Sequence, residues 1–124
     1  MKDKTLIITE NTISKLNVMK SKSKFILDDK LFYPGAPSTK VKKEAEGLIN
    51  DLLTILIDQV PSNPKKSYVM REFKNTLKKF NEFDSEEQDR VCNYLEEIMD
   101  MLRISNSDGL LNKWRYGFDP KQEA

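Results

Sequence analysis

Three stretches of the chain carry large apolar residues three or four positions apart, and this spacing constrains the fold more than any other feature. Residues at such intervals share one face of an α-helix, where they can be buried together. We therefore predict three long helices that pack through these apolar stripes. The stripes are Val41, Ala45, Leu48, Leu52 and Leu56, then Val69, Phe73, Leu77 and Phe80, and then Val91, Leu95, Ile98 and Leu102.

Capping residues and prolines mark where these helices begin and end. Ser38 or Thr39 can cap the first helix, which must end near Val60 because a proline follows. Asn63 and Pro64 are typical of an N-cap followed by the first residue of a helix. The second helix is therefore predicted to begin there.

The third helix and a short last helix have starts of their own. Asp84 and Ser85 each precede a Glu or Gln by three positions, which is the pattern of a capping box. The polar residues 105–108 can cap a last helix that contains Trp114 and ends at Gly117.

The first third of the chain is less regular. Residues 5–9 could form a β-strand, and apolar residues then recur at helical spacing from position 13 to position 19, which predicts a short helix. The apolar residues between positions 25 and 33 are too numerous for a free linker, so we expect them to pack on the core. Residues 33–37, with two prolines and a glycine, form a turn.

A chain of 124 residues has the size of a single domain. We predict an all-α fold, a compact bundle of about four to six helices with an N-terminal arm packed on it. The arm and turn occupy residues 1–37 and the helical core residues 38–118. The tail, residues 119–124, is expected to be disordered after Pro120.

Residue types that most enzymes and metal sites require are scarce. The sequence has no histidine, one cysteine and four dispersed glycines. It therefore lacks Ser-His and Cys-His nucleophile pairs, Cys/His zinc sites and glycine-rich phosphate loops. Cys92 lies beside Val91 on the third helix and is expected to be a buried, unreactive thiol. We predict no catalytic residue, no metal and no cofactor.

The overall charge does not point to a polyanionic partner. The 21 basic and 20 acidic residues nearly balance, so no global field attracts nucleic acid or an anionic membrane. No apolar run is long enough for a membrane helix or for the core of a signal peptide. We predict a cytoplasmic protein that binds neither nucleic acid nor membrane.

Charge is nevertheless segregated along the chain. Residues 84–100 contain seven carboxylates and one arginine, whereas lysines predominate in the N-terminal third. The basic arm could lie against the acidic helix, or the acidic face could meet a cationic protein. In the second interpretation, the binding residues are those on the polar side of the helix: Asp89, Glu96, Glu97 and Asp100.

Aromatic residues and an arginine are concentrated near the C-terminus. Trp114, Arg115, Tyr116 and Phe118 are of types that are enriched at binding hot spots. The same residues could instead anchor the last helix as a hydrophobic cap on the core. Trp114, Arg115 and Tyr116 are therefore partner-binding candidates with two interpretations.

Two other functions remain open. A carboxylate-dependent enzyme, or a protein that binds a small ligand or metal, would need acidic and tyrosine side chains to converge in a pocket with shifted pKa values. A self-associating structural module would expose one contiguous apolar patch. The side chains available to such an enzyme are Glu86, Glu87, Asp89, Tyr94 and Tyr116.

Three motifs resemble those of a small bacterial family of unknown function. They are Tyr33-Pro34-Gly35-Ala36, the helix start Asp84-Ser85-Glu86-Glu87, and Ser107-Asp108-Gly109-Leu110-Leu111-Asn112-Lys113-Trp114-Arg115-Tyr116-Gly117. The resemblance extends from Phe25 to Gly117. It implies an all-helical domain and brings no activity, cofactor or catalytic residue with it.

By general type, the chain also resembles immunity proteins, which are compact cytosolic proteins with charged faces that neutralise bacterial toxins. This resemblance implies a cationic toxin domain as the partner, occluded by the acidic face. The leading hypothesis is therefore a cytosolic protein-binding module, whose oligomeric state the sequence does not specify.

Overall fold

Five α-helices and one short 3₁₀ helix form the regular structure of the computed structural model, which describes residues 3–117. Within that range there is no strand beyond two isolated bridges, so the predicted all-α fold is confirmed. Phe118 and the predicted tail, 119–124, lie outside the described residues. The helices are α1 (Glu10–Ser21), the 3₁₀ helix (Asp29–Leu31), α2 (Thr39–Gln59), α3 (Lys66–Lys79), α4 (Ser85–Met101) and α5 (Leu110–Tyr116).

Helix α2 is central and contacts α1, α3 and α4. Ser38 caps it, accepting a hydrogen bond from the Val41 amide at 3.1 Å. Neither α2 nor any other described helix is long and apolar enough to cross a membrane. Val41 and Leu48, which belong to the predicted stripe, are only half-buried. The buried side chains of α2 are Ala45, Ile49, Leu52, Leu53 and Leu56.

Helix α1 confirms the predicted short N-terminal helix. Its start is a capping box in which Thr9 and Thr12 each accept a hydrogen bond from the other's backbone amide at 3.2 Å. Residues 5–9 do not form a strand. They make only a single antiparallel bridge, between Thr5 and Lys65, because α3 begins at Lys66 and leaves no further extended chain there to pair with them.

Helix α3 begins later than predicted. Asn63 and Pro64 do not start it, and its first residue is Lys66. Backbone hydrogen bonds with residues 4–6 hold the preceding segment extended, which delays the helix. Asp3 then caps the first turn, since its carboxylate accepts a hydrogen bond from a backbone amide there at 3.0 Å.

Helix α4 begins where the sequence predicts, with Asp84 as its N-cap, but the predicted capping box does not form. Glu87 accepts a hydrogen bond from Tyr33 in the arm instead. Gln88 donates to two carbonyls just after α3. Tertiary contacts thus replace the local hydrogen bonds of a capping box.

Helix α5 is flanked by two glycines with positive φ, Gly109 at 83° and Gly117 at 84°. The predicted glycine at the C-terminal end is therefore confirmed. The N-cap is Gly109 rather than a residue of the predicted cluster, 105–108, although Ser107 of that cluster accepts a hydrogen bond from the Leu111 amide at 3.4 Å.

An aromatic cluster joins the arm to the helical core. Phe25 stacks on Phe80 with ring centroids 6.0 Å apart and meets Tyr94 edge-on at 5.1 Å. The expectation that the apolar arm packs on the core is correct for Phe25 and Tyr33, which are buried. It is wrong for four neighbouring side chains, which are exposed: Ile26, Leu27, Leu31 and Phe32.

Candidate functional site

The acidic helix α4 presents one side to the arm and another to solvent. Glu87 lies on the arm side, is 2% exposed and accepts a hydrogen bond from the Tyr33 hydroxyl at 2.8 Å. Burial and this hydrogen bond raise the pKa of the Tyr33 phenol. Glu87 is therefore a structural residue. The carboxylates of α4 that lie at the surface are Glu86, Asp89, Glu96, Glu97 and Asp100.

Four of the seven predicted binding residues meet between α4 and α5. Asp89 accepts a hydrogen bond from the Nε of Arg115, which raises the pKa of that guanidinium. The guanidinium also lies 5.3 Å from the ring centroid of Tyr116. With Glu96, these residues line a shallow depression of about 270 Å³.

The other three predicted residues lie elsewhere. Trp114 is half-buried against the core, and its indole Nε1 donates to the Asn81 side chain at 2.9 Å. It anchors α5, as the hydrophobic-cap interpretation expected. Glu97 borders a separate groove beside α1, and Asp100 is exposed farther along α4. The predicted residues therefore do not form one continuous patch.

The side chains considered for a carboxylate-dependent enzyme do not share one cavity. Glu87 and Tyr94 each bond to the arm, whereas Glu86, Asp89 and Tyr116 are exposed on other sides of α4 and α5. Within residues 3–117, no group of three acidic or cysteine side chains is placed to hold a metal ion.

A turn in the arm holds two large apolar side chains in solvent. The backbones of Asp28 and Tyr33 are joined by hydrogen bonds of 2.9 and 3.0 Å. Between them, Phe32 has a φ of 54°, a conformation that bulky residues rarely adopt. Its side chain is 94% exposed, and that of Leu31 is half exposed. We call this feature the Leu31–Phe32 turn.

Sequence reasoning missed the Leu31–Phe32 turn as a functional candidate. The signal available was the polar run Asp28-Asp29-Lys30, which is typical of a turn. A turn at this position leaves Leu31 and Phe32 in solvent, whereas Tyr33, immediately after them, is buried.

Arg90 ties this turn to α4. Its Nη2 lies 3.1 Å from the Asp28 carboxylate, and its guanidinium lies 4.5 Å from the ring centroid of Tyr94 and 5.7 Å from that of Tyr33. The Phe25 amide donates to the Tyr94 hydroxyl at 2.8 Å on the same side. In this contact the charges are the reverse of those considered from the sequence, since an arm carboxylate pairs with the helix arginine.

Comparison with models of known protein families identifies the family to which this helical domain belongs. The family model of a domain of unknown function, DUF4844, matches residues 7–119. The chain belongs to the DUF4844 family. This confirms membership of a family of unknown function, and it brings no activity to the residues described above. The comparison of this DUF4844 chain with curated proteins finds no match.

A solved structure supports the fold of the DUF4844 chain. It is the crystal structure of a DUF3571 family protein from Acinetobacter baumannii AYE, with a TM-score of 0.76. The alignment covers 86% of this chain and 89% of that one, at 24% sequence identity. At this identity the similarity concerns the fold alone.

The DUF4844 domain also has a groove between α1, the arm and α4, with a volume of about 440 Å³. Met19 and Tyr94 are buried at its base, and the exposed side chains of Val18, Ile26 and Leu27 border it. We call it the arm groove.

The single cysteine of the DUF4844 domain should react slowly. Burial raises the pKa of the half-buried Cys92 thiol to about 12, and Asp89 and Glu96 add to this effect. A raised pKa means less thiolate at pH 8, and the thiolate is the reactive form. We expect a disulfide reagent such as DTNB to modify the folded protein more than about tenfold slower than the urea-unfolded chain. Equal rates would contradict this environment for the thiol.

Proposed function

We propose that this DUF4844 protein is a protein-binding module whose surface combines the Leu31–Phe32 turn with the outer face of α4. The observation that carries the proposal is the 94% exposure of Phe32 in a turn held by two backbone hydrogen bonds. An aromatic side chain has few rotatable bonds, and the turn fixes its backbone, so Phe32 loses little conformational entropy when a partner buries it.

The charges around the turn indicate the chemistry of the partner. Glu86 and Asp89 line a small depression together with Leu31 and Phe32. Asp89 also borders the depression that contains Glu96 and Tyr116, where its carboxylate is bonded to Arg115. Carboxylates therefore continue toward α5 with one arginine among them. A complementary partner has an apolar pocket for Phe32 surrounded by basic residues.

A cationic toxin domain is one partner with this chemistry, and the immunity hypothesis is the special case in which binding occludes the toxin. The proposal involves no catalytic step. The cytoplasmic location and the absence of nucleic-acid and membrane partners stay predictions from the sequence.

Charge reversal tests the proposed surface. We expect the combined replacement of Glu86, Asp89, Glu96 and Asp100 by lysine to raise the dissociation constant for a captured basic protein by about tenfold or more. Glu97 is left unchanged because it borders the separate groove beside α1. Phe32→Ala should weaken binding to a similar extent, because the substitution removes the apolar anchor. The partner is captured from the source cells with the tagged wild-type protein, and its affinity is then measured by calorimetry.

The matched control reverses four exposed carboxylates of α1 and α2, so the change in net charge is the same. If both quadruple variants bind the partner as tightly as the wild-type protein does, the proposed surface is wrong. If both lose affinity equally, the effect is one of net charge and the surface is again unsupported. The control residues are Glu10, Glu44, Asp51 and Asp58.

A self-associating module is the second candidate, favoured by the exposed apolar side chains of the arm. It differs from the first in the occupant of the same surface, which would be a second copy of the chain. Light scattering separates them: a dimer that Phe32→Glu converts to a monomer supports self-association, whereas a monomeric wild-type protein supports a different partner.

A further inference from the structure

We propose that the arm groove binds a small amphipathic anion, a free molecule with an aliphatic body and a carboxylate head. This goes beyond the proposed protein-binding function, because the groove lies between α1, the arm and α4 rather than on the surface around Phe32. Its volume of about 440 Å³ is within the range of roughly 300–1,000 Å³ that is typical of small-ligand sites.

The apolar body has a matching surface. Val18 on α1 and Ile26 and Leu27 in the arm line the groove, yet their side chains are 51%, 47% and 63% exposed. Single exposed apolar residues are common, but three around one concave site form apolar area that a ligand can remove from water.

The arm backbone holds this surface in place without the ligand. Phe25 is buried with a φ of 58°, its amide donates to Tyr94 and its carbonyl accepts from the Ala36 amide. Ile26 and Leu27 follow this fixed residue directly, and the backbone of Asp28, the next residue, is bonded to that of Tyr33. The groove is therefore preorganised, which lowers the cost of binding.

The charges of the groove favour an anionic head group. The ammonium of Lys24 is already satisfied, because it donates to the carbonyls of Lys20 and Lys22 and to Asn50 Oδ1. The ammonium groups of Lys15 and Lys22 are exposed and have no partner among the described residues. Against these two free cations, the groove has one free carboxylate.

That carboxylate is Glu97, since the other one, Asp28, is paired with Arg90. The Arg90 side chain is only 10% exposed, and its Nε makes no hydrogen bond within the described part of the chain. That atom is buried and the guanidinium is already paired, so the free charges of the groove are the two lysines and Glu97, and their balance is positive.

Titration with three molecules of equal chain length tests the proposal. Octanoate, 1-octanol and octylammonium are each added to the ¹⁵N-labelled protein, and amide chemical shifts are followed by NMR. We expect octanoate to shift the amides of Val18, Ile26 and Leu27. Octanol should bind about threefold more weakly, because its neutral hydroxyl is not attracted to the exposed lysines. Octylammonium should bind about tenfold more weakly, because its ammonium is repelled by them.

Two pairs of variants locate the site. Val18→Glu combined with Leu27→Glu should abolish the octanoate shifts, whereas Phe32→Glu, outside the groove, should preserve them. Lys15→Glu combined with Lys22→Glu should weaken octanoate binding severalfold, by about the amount expected for two exposed charges, and leave octanol unchanged. The same reversal at Lys40 and Lys43, exposed on α2, is the matched control.

The proposal is overturned if octanoate causes no shifts, if its shifts lie outside the groove, or if octylammonium binds as tightly. Equal losses in both lysine variants would also overturn it, since they indicate a general charge effect. Because Phe32→Glu disrupts the proposed partner surface but not the groove, failure of either proposal is distinguishable from failure of the other.

Discussion

Alanine at position 25 should lower the free energy of unfolding by about 3 to 5 kcal/mol, the range for removing a buried phenylalanine from a core. Phe25 is 1% exposed and packs on Phe80, Tyr94 and Tyr33. Alanine would leave a cavity among three rings while keeping the positive φ of 58°. Urea denaturation followed by circular dichroism measures the change.

Phe32→Ala is the matched control for this prediction. Phe32 is also a phenylalanine with positive φ, at 54°, but its side chain is 94% exposed. Its replacement should change stability by less than about 0.5 kcal/mol. Similar losses in both variants would mean that backbone conformation, rather than burial of the ring, determines the contribution of Phe25.

The helices could be predicted because their signals are local. Apolar spacing and capping residues lie within a few positions of one another, so they specify α2 and the start of α4 without knowledge of the fold. The short helix α1 and the glycine at the end of α5 were predictable for the same reason.

Where prediction failed, a distant segment had replaced a local interaction. Asn63 and Pro64 have the local pattern of a helix start, but residues 4–6 hold that segment extended. Glu87 has the position of a capping residue, but its carboxylate accepts a hydrogen bond from the hydroxyl of Tyr33, 54 positions away. Neither partner can be identified from the spacing of neighbouring residues.

The candidate site was predictable only in part, for the same physical reason. Sequence placed Asp89 and Glu96 on an exposed helical face and grouped Arg115 with Tyr116, and packing of α5 on α4 brings the two groups together. The exposure of Phe32 depends on how the arm is fixed to α4. Phe25 and Phe32 both lie in apolar runs of the arm but have opposite burial.

The attachment of the arm can be tested directly at Arg90. Arg90→Ala should lower the free energy of unfolding by about 2 kcal/mol, from a broken ion pair and two lost cation–π contacts. The estimate is below that for a fully buried pair, because the Asp28 side chain is 28% exposed and water can solvate it. Urea denaturation measures the loss.

The matched control is Arg71→Ala. Arg71 lies 5.4 Å from the ring centroid of Tyr68 but is exposed and forms no ion pair among residues 3–117, so its loss should cost less than about 1 kcal/mol. Hydrogen exchange adds a local readout. The amides of Asp28 and Tyr33 bond to each other's carbonyls. In Arg90→Ala they should exchange faster than in the wild-type protein, by a larger factor than the amides of α2.

Faster exchange confined to the arm would mean that Arg90 holds both the Leu31–Phe32 turn and the wall of the arm groove. Because Arg90 borders both surfaces, the variant should then weaken partner binding and octanoate binding together while the helical core stays folded. Unchanged exchange in the arm, with stability lost uniformly, would instead assign Arg90 to the core and separate it from either binding surface.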